Sequence, residues 1–181
     1  LARGIDLLVK AEYRSWYLWA AYSYSIVTRD DGVREYYPPF DRRHNLNLVS
    51  TYTFGKERSW EVSARYNFGS GFPFTPRRGS INGQPFTMSD GTPGVDYDFT
   101  TENGEIKDLY GDLNSFRLPN YHRFDISAKK TWKFGEYSRL ELNAGATNML
   151  NRDNIFYYDR VENKRVDQLP VMPTVGLVFG W

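Results

Sequence analysis

The stretch that decides the fold is WEVSARYNF, residues 60–68, in which apolar and polar side chains alternate strictly. A β-strand points successive side chains to opposite faces. The even-numbered residues from Trp60 to Phe68 therefore form an apolar face, and the odd-numbered residues between them form a polar one. In a soluble sheet the apolar face would be a core. In a transmembrane barrel it faces lipid, and the polar face lines the lumen.

The same alternation recurs in seven segments, at residues 4–13, 16–26, 45–54, 60–68, 123–134, 139–148 and 174–181. Each has roughly the 9–11 residues that a tilted strand needs to cross a bilayer. Short turns and long loops alternate between the segments, as in outer-membrane barrels with periplasmic turns and extracellular loops. The pattern predicts an all-β fold, a segment of an antiparallel transmembrane β-barrel with about seven strands.

The tryptophans favour lipid over a dry core as the environment of the apolar faces. Trp16, Trp60, Trp132 and Trp181 all fall at the short-turn ends of the predicted strands, on the apolar side. Tryptophan is enriched where a membrane meets water, so these four residues are predicted to form a membrane-interface girdle. Trp19 is the exception, because the alternation directs it to the polar face.

Composition limits the other possibilities. The chain has 181 residues, a net charge of +1 and no cysteine, which gives no sign of a nucleic-acid partner and is compatible with an oxidising periplasm. No apolar run approaches the 18 or so residues of a spanning helix. Single-chain bacterial barrels have an even number of strands, whereas seven segments are found here. Residues 1–181 are therefore expected to be the C-terminal portion of one larger barrel domain.

Five sequence motifs carry a family resemblance: YPPFDRRHN (37–45), YNFGSGFPFTP (66–76), RLPNYHRFD (117–125), NMLNRDN (148–154) and TVGLVFGW (174–181). Together they resemble the C-terminal barrel of TonB-dependent outer-membrane receptors, especially the Bacteroidetes type. The resemblance implies a 22-stranded barrel in the bacterial outer membrane, closed by an N-terminal plug that this chain lacks. It also implies import of a scarce ligand with energy from the TonB complex. Gly176, Phe179 and Trp181 are similar to the signal that the barrel assembly machinery reads.

The long loops supply the predicted ligand contacts, because aromatic faces and guanidinium groups suit sugars, chelates and peptides. The candidates are Tyr36, Tyr37, Phe40, Phe72, Phe74, Arg77, Arg78, Tyr97, Tyr110, Phe156, Tyr157 and Tyr158. Whether the ligand is a metal chelate, a vitamin, a glycan or a peptide stays open, as does the presence of a surface lipoprotein lid. Residues 156–158 and 165–167 are predicted to pair as a hairpin beyond the membrane.

Other polar residues receive structural or negative predictions. Asp41, beside Arg42 and Arg43, is expected to tie a loop to the barrel rim by charge-assisted hydrogen bonds. His44 and His122 would bind a metal only if a third ligand joined them, and neither a metal nor a cofactor is predicted. With no cysteine and no nucleophile elbow, the sequence offers no catalytic constellation, so an enzyme is not expected.

Three alternatives to the importer remain open at this stage. The first is a small outer-membrane barrel acting as an adhesin or structural anchor. The second is a soluble β-sandwich that binds carbohydrate, in which the apolar faces would meet each other. The third, an outer-membrane enzyme, is disfavoured because the sequence lacks the catalytic residues that it would need.

Overall fold

The structure is a computed structural model that describes residues 1–83, 105–135, 137–159 and 164–181. These residues form fifteen strands and one 3₁₀ turn, Lys56–Arg58. The strands are β1 (Ala2–Tyr13), β2 (Trp16–Val27), β3 (Arg29–Asp30), β4 (Glu35–Tyr36), β5 (His44–Phe54), β6 (Trp60–Gly69), β7 (Pro73–Phe74), β8 (Arg77–Gly83), β9 (Glu105–Tyr110), β10 (Phe116–Arg117), β11 (Tyr121–Phe134), β12 (Ser138–Thr147), β13 (Ile155–Asp159), β14 (Lys164–Asp167) and β15 (Met172–Gly180).

Seven of these strands form one antiparallel sheet in the order β1-β2-β5-β6-β11-β12-β15. They are the seven predicted strands, each within about two residues of the predicted bounds, so the predicted fold class is confirmed. Sheet neighbours are also sequence neighbours among these seven, as in an up-and-down meander. Within the described residues the sheet is not closed, because β1 and β15 each pair along one edge only.

The large sheet exposes its apolar face, whereas a sheet in a soluble protein buries it. Among the residues that the structure describes, no hydrophobic residue is buried. The apolar face of the sheet is instead open: Leu7, Trp16, Ile126 and Phe179 are all exposed. The soluble sandwich alternative requires these faces to pack against each other, and in the described part of the chain they do not.

The opposite face carries paired charges. Lys129 lies directly opposite Glu61 in the register of β11 and β6, and their charged atoms are 3.0 Å apart. Arg123 and Asp125 form a second pair at 2.8 Å. Trp19 shares this face, since it stands opposite Lys10 in β1 without any register shift. Its inward direction is therefore real, and nothing in the structure explains why tryptophan is needed there.

The two rims differ as predicted. Short links at residues 14–15, at residues 55–59 and between β11 and β12 join the strands at one rim, and Arg14, Gly55 and Gly135 have positive φ angles there. Segments of sixteen residues or more join them at the other rim and contain the four short hairpins or bridges β3–β4, β7–β10, β8–β9 and β13–β14.

No helix in the described part of the chain is long and apolar enough to cross a bilayer.

Candidate functional site at the loop rim

Asp41 organises the base of the first two long loops. Its side chain is fully buried, and it accepts hydrogen bonds from the backbone N–H of Val27 at 2.8 Å and from Nε of Arg43 at 3.0 Å. It also pairs with Arg117, whose Nη1 donates to the backbone oxygens of Asp41 and Gly71. The predicted tie between loop and rim is thus confirmed, although the second guanidinium comes from Arg117 and not from the neighbouring Arg42.

The electrostatics of this group, which we call the Asp41 clasp (Asp41, Arg43 and Arg117), favour the carboxylate form. Burial raises the pKa of Asp41, but hydrogen bonds from Arg117, Val27 and Arg43 outweigh that effect and hold the pKa below its ordinary value. The ring of Tyr37 lies under both guanidiniums, 4.6 Å from Arg43 and 5.5 Å from Arg117. Tyr37, predicted as a ligand contact, therefore packs against the clasp.

Arg42 turns away from Asp41 and lies over an aromatic ring. Its guanidinium is 4.2 Å from the ring centre of Phe72, and burial lowers its pKa. A Cβ atom at Gly69 would come within 2.5 Å of this guanidinium, so a larger residue there would require the Arg42 side chain to shift. Arg42 lines a cavity of about 340 Å³ together with Asn45, Asn67 and other polar residues.

Two asparagines fix the third long loop. Asn154 is 4% exposed; its amide donates to the backbone oxygen of His122, and its side-chain oxygen accepts from the His122 N–H at 2.9 Å. Asn148, also 4% exposed, donates to the backbone oxygens of Arg152 and Leu169. Its positive φ of 52° lets the chain turn sharply as β12 ends. The NMLNRDN motif is therefore a turn whose two end residues, Asn148 and Asn154, are buried, whereas the residues between them are exposed.

The predicted hairpin is confirmed, because β13 pairs with β14 and carries Phe156, Tyr157 and Tyr158. These three side chains meet residues of the long second loop around one cavity of about 280 Å³. We call this the aromatic cavity. Its lining consists of Pro39, Phe72, Pro73, Phe74, Thr75, Arg77, Tyr110, Leu118, Phe156, Tyr157 and Tyr158.

The cavity is lined mainly by aromatic and proline side chains and has one charged group. Nη2 of Arg77 lies 2.7 Å from Oδ1 of Asp108, so the charge of the guanidinium is balanced locally. Phe74 is held from behind by Phe116, with ring centres 6.3 Å apart and the rings nearly edge-to-face. The hydroxyl of Tyr110 contacts Asp108 at 3.4 Å. The arrangement offers flat faces and hydroxyl groups, with little net charge.

Seven of the twelve predicted contact residues line the aromatic cavity: Phe72, Phe74, Arg77, Tyr110, Phe156, Tyr157 and Tyr158. Four of the others, Tyr36, Tyr37, Phe40 and Arg78, do not line it. Tyr36 ends the short β3–β4 bridge, and Phe40 is exposed beside Arg29 at 5.8 Å. Arg78 makes an exposed contact with Asp112 at 3.6 Å. Tyr97 lies outside the described residues.

Sequence reasoning did not single out several buried polar residues of this rim. Arg117 bonds to Asp41 across 76 positions, and Asn114 donates to the backbone oxygen of Tyr37 across 77. Pairings over such distances cannot be read from local spacing. The available signal was that Arg117 and Asn148 both begin motifs quoted for the family resemblance.

The two histidines are not brought together with other ligands. His44 contacts the hydroxyl of Tyr22 at 2.8 Å, and His122 contacts that of Tyr66 at 2.9 Å. Within the described residues there is no group of three or more His, Cys, Asp or Glu side chains that could hold a metal ion.

A family comparison decides the identity of this barrel segment. The family model described as "TonB dependent receptor-like, beta-barrel" matches residues 2–149. The chain belongs to this family. The comparisons with curated proteins and with solved structures found no match.

The family match covers the first six strands of the large sheet in this TonB-dependent receptor barrel. Strands β1, β2, β5, β6, β11 and β12 all lie within the matched residues, whereas β13, β14 and β15 follow them. The family comprises receptors of the bacterial outer membrane and is not a family of enzymes.

At the opposite rim of the receptor barrel, aromatic rings follow one another across the strands. The ring centres of Trp16 and Tyr52 are 4.6 Å apart, those of Tyr52 and Phe54 5.6 Å, and those of Phe54 and Trp60 6.1 Å. All four side chains are exposed on the apolar face. We call this row the aromatic belt; Trp132 and Trp181 lie at the same rim, at the ends of β11 and β15.

Proposed function

We propose that this chain forms part of a receptor that binds a scarce ligand in the aromatic cavity and imports it across the outer membrane. The observation that carries the proposal is the convergence of seven predicted contact residues on one cavity at the long-loop rim. These residues come from two loops that are separated in sequence and joined only through the fold. Ligand sites are commonly concave and mostly apolar, with a few polar groups that fix orientation.

The chemistry of the cavity supports a ligand with flat, weakly charged faces. Arg77 is already paired with Asp108, so an anionic ligand would gain little from it. Phe74, Tyr157 and Tyr158 offer ring faces, and tyrosine hydroxyls offer hydrogen bonds at their edges. A chelate, a vitamin, a glycan ring or an aromatic peptide would each fit this description.

The proposal includes the setting of the site. The open sheet and its charged inner face suit a segment of a larger barrel, the C-terminal part of 22 strands, whose lumen holds a plug. The aromatic belt with Trp132 and Trp181 would lie at the periplasmic interface of the bilayer, and the aromatic cavity would open to the outside.

Two partners follow from this setting. TonB would deliver energy through the plug. The barrel assembly machinery would read β15, in which Phe179 faces the lipid side and Gly176 the inner side, opposite Leu140 and Asn143 respectively.

The experiment is a growth assay of a strain that lacks the receptor gene, supplied with one limiting nutrient at a time. Iron chelates, vitamins, glycans and peptides are tested in turn. Restoring the full receptor is expected to restore growth on one class, and only when TonB is present. Replacing Phe74 and Tyr157 together by alanine is expected to raise the nutrient concentration needed for half-maximal growth at least tenfold.

Phe40→Ala is the matched control, because Phe40 is an exposed loop aromatic outside the cavity lining. Heat-modifiable migration in gel electrophoresis reports whether each variant barrel has assembled. The proposal is contradicted if growth on every class is independent of the receptor, or if the cavity variant and the Phe40 variant behave alike.

A further inference from the structure

Lys130 interrupts the apolar face of β11 at the short-turn rim. It is paired in register with Trp60 of β6 and lies between Ala128 and Trp132 on that face. A lysine on a lipid-facing surface is costly unless its ammonium group reaches the membrane interface. Its position beside the aromatic belt brings the ammonium group to that level.

Within the part of the chain that the structure describes, the ammonium group of Lys130 is held in place but has no carboxylate partner. Nζ donates to Oγ of Ser59 at 2.8 Å and lies 4.9 Å from the ring centre of Trp60 and 5.9 Å from that of Trp132. No carboxylate of the described residues forms a salt bridge with it. An ammonium group has three donors, so two remain after the bond to Ser59.

Further cations surround the same place. A cavity of about 360 Å³ at the turn 55–59 is lined by Lys56, Arg58, Lys130 and Lys133, with Glu57 as the carboxylate among its described lining residues. Glu57 is engaged by Lys133 at 3.7 Å. Three positive charges are thus left without a carboxylate partner in the described residues, next to an apolar surface that includes Trp132 and Phe134.

We propose that Lys130, with Arg58 and Lys56, binds the phosphate of an anionic phospholipid in the periplasmic leaflet. The phosphate would accept the two free donors of Lys130, and the acyl chains would lie along Val62 and Ala128 on the lipid-facing side. The net positive charge of the cavity favours an anionic headgroup over a zwitterionic one. The inference uses the proposed membrane orientation but not the proposed import.

The test is lipid titration of the full receptor, purified in a nonionic detergent and followed by native mass spectrometry. The probes are phosphatidylglycerol, phosphatidylcholine and inorganic phosphate. Phosphatidylglycerol is expected to bind most tightly. Lys130→Gln is expected to weaken that binding about fivefold, which is the contribution of one positive charge at the membrane surface. Lys130→Arg keeps the charge and is expected to retain binding.

Lys129→Gln is the matched control, because Lys129 is the neighbouring lysine but faces the inner side and pairs with Glu61. It is expected to leave lipid binding unchanged. If Lys130→Gln does not assemble, Arg58→Gln provides a second variant on an exposed turn. The proposal is overturned if the two lipids bind equally well, if the Lys129 and Lys130 variants lose the same affinity, or if inorganic phosphate displaces the lipid.

Discussion

The lipid-facing side of the strands and the base of the long loops differ in which side chains they expose and which they bury. On the strands, large apolar side chains such as Trp16 and Phe179 are exposed. At the loop base most of the buried side chains are polar: Asp41, Asn148 and Asn154 have 0–4% of their surface exposed. A soluble domain shows the reverse distribution.

The difference indicates where each region obtains its stability. The strand wall gains from its ladder of backbone hydrogen bonds and from contact with lipid, so its side chains need only the right polarity. The loops project into water and have no such environment. They are held by specific polar contacts, in which removing one partner leaves another buried group unsatisfied.

The largest expected effect comes from breaking the Asp41 clasp. Asp41→Ala leaves Arg43 and Arg117 without their carboxylate and the N–H of Val27 without its acceptor. We expect a loss of about 3–5 kcal/mol in the free energy of unfolding, typical of a broken buried ion pair. Urea unfolding of the full receptor in detergent micelles measures this loss.

Asp31→Ala is the control for this prediction. Asp31 is an exposed carboxylate that accepts hydrogen bonds from Val33 and Arg34 within its own turn. It is expected to change stability little. Equal effects of the two substitutions would refute the special role of the clasp.

A charge on the lipid-facing side gives the next largest effect. Ala64 and Ser63 are small neighbours in the middle of β6 that point to opposite faces. Ala64→Arg is expected to destabilise the barrel by about 2–4 kcal/mol, whereas Ser63→Arg should cost less than about 1 kcal/mol because it faces the polar lumen. Folding titrations into lipid vesicles compare the two, and a reversed order would mean that the faces are assigned wrongly.

The stabilising contribution of the Asp41 clasp should decrease as the pH falls into the acid range. The pKa of Asp41 is lowered in the folded state, so its contribution is fully present above the unfolded value of about 3.9. That contribution is lost as the pH falls from about 3.9 through the folded pKa, because the unfolded chain takes up the proton first. Between pH 7 and pH 3 the free energy of unfolding should fall more for the wild type than for Asp41→Asn. Parallel losses would contradict the assignment.

The smallest effect is expected at the inner wall. Lys129 and Glu61 are each about one-third exposed, so their attraction is screened by water. Lys129→Gln should change the free energy of unfolding by about 0.2–1 kcal/mol, and less at about 1 M salt. Unfolding of the same receptor preparation at two salt concentrations checks this. A loss as large as that of Asp41→Ala would remove the distinction between wall and loop base.

The strands could be predicted because their signal is local. From Trp60 to Phe68 the alternation determines both the strand and its two faces. The ends of the seven alternating segments then indicate where the short turns and the aromatic belt lie. The aromatic cavity was predicted only as a set of loop aromatics. Phe74 and Tyr157 lie in different long loops, and no pattern in the sequence distinguishes them from Phe40, which lies outside the cavity.

The sequence by itself determined the strands, the polarity of their faces and the rim at which the tryptophans lie, because a period of two acts between immediate neighbours. Only the tertiary structure decided that Asp41 pairs with Arg117 in place of Arg42, and that Phe74 meets Tyr157 across a cavity. Those contacts depend on how long loops close in space, and loop closure brings together residues whose separation along the chain carries no periodic signal.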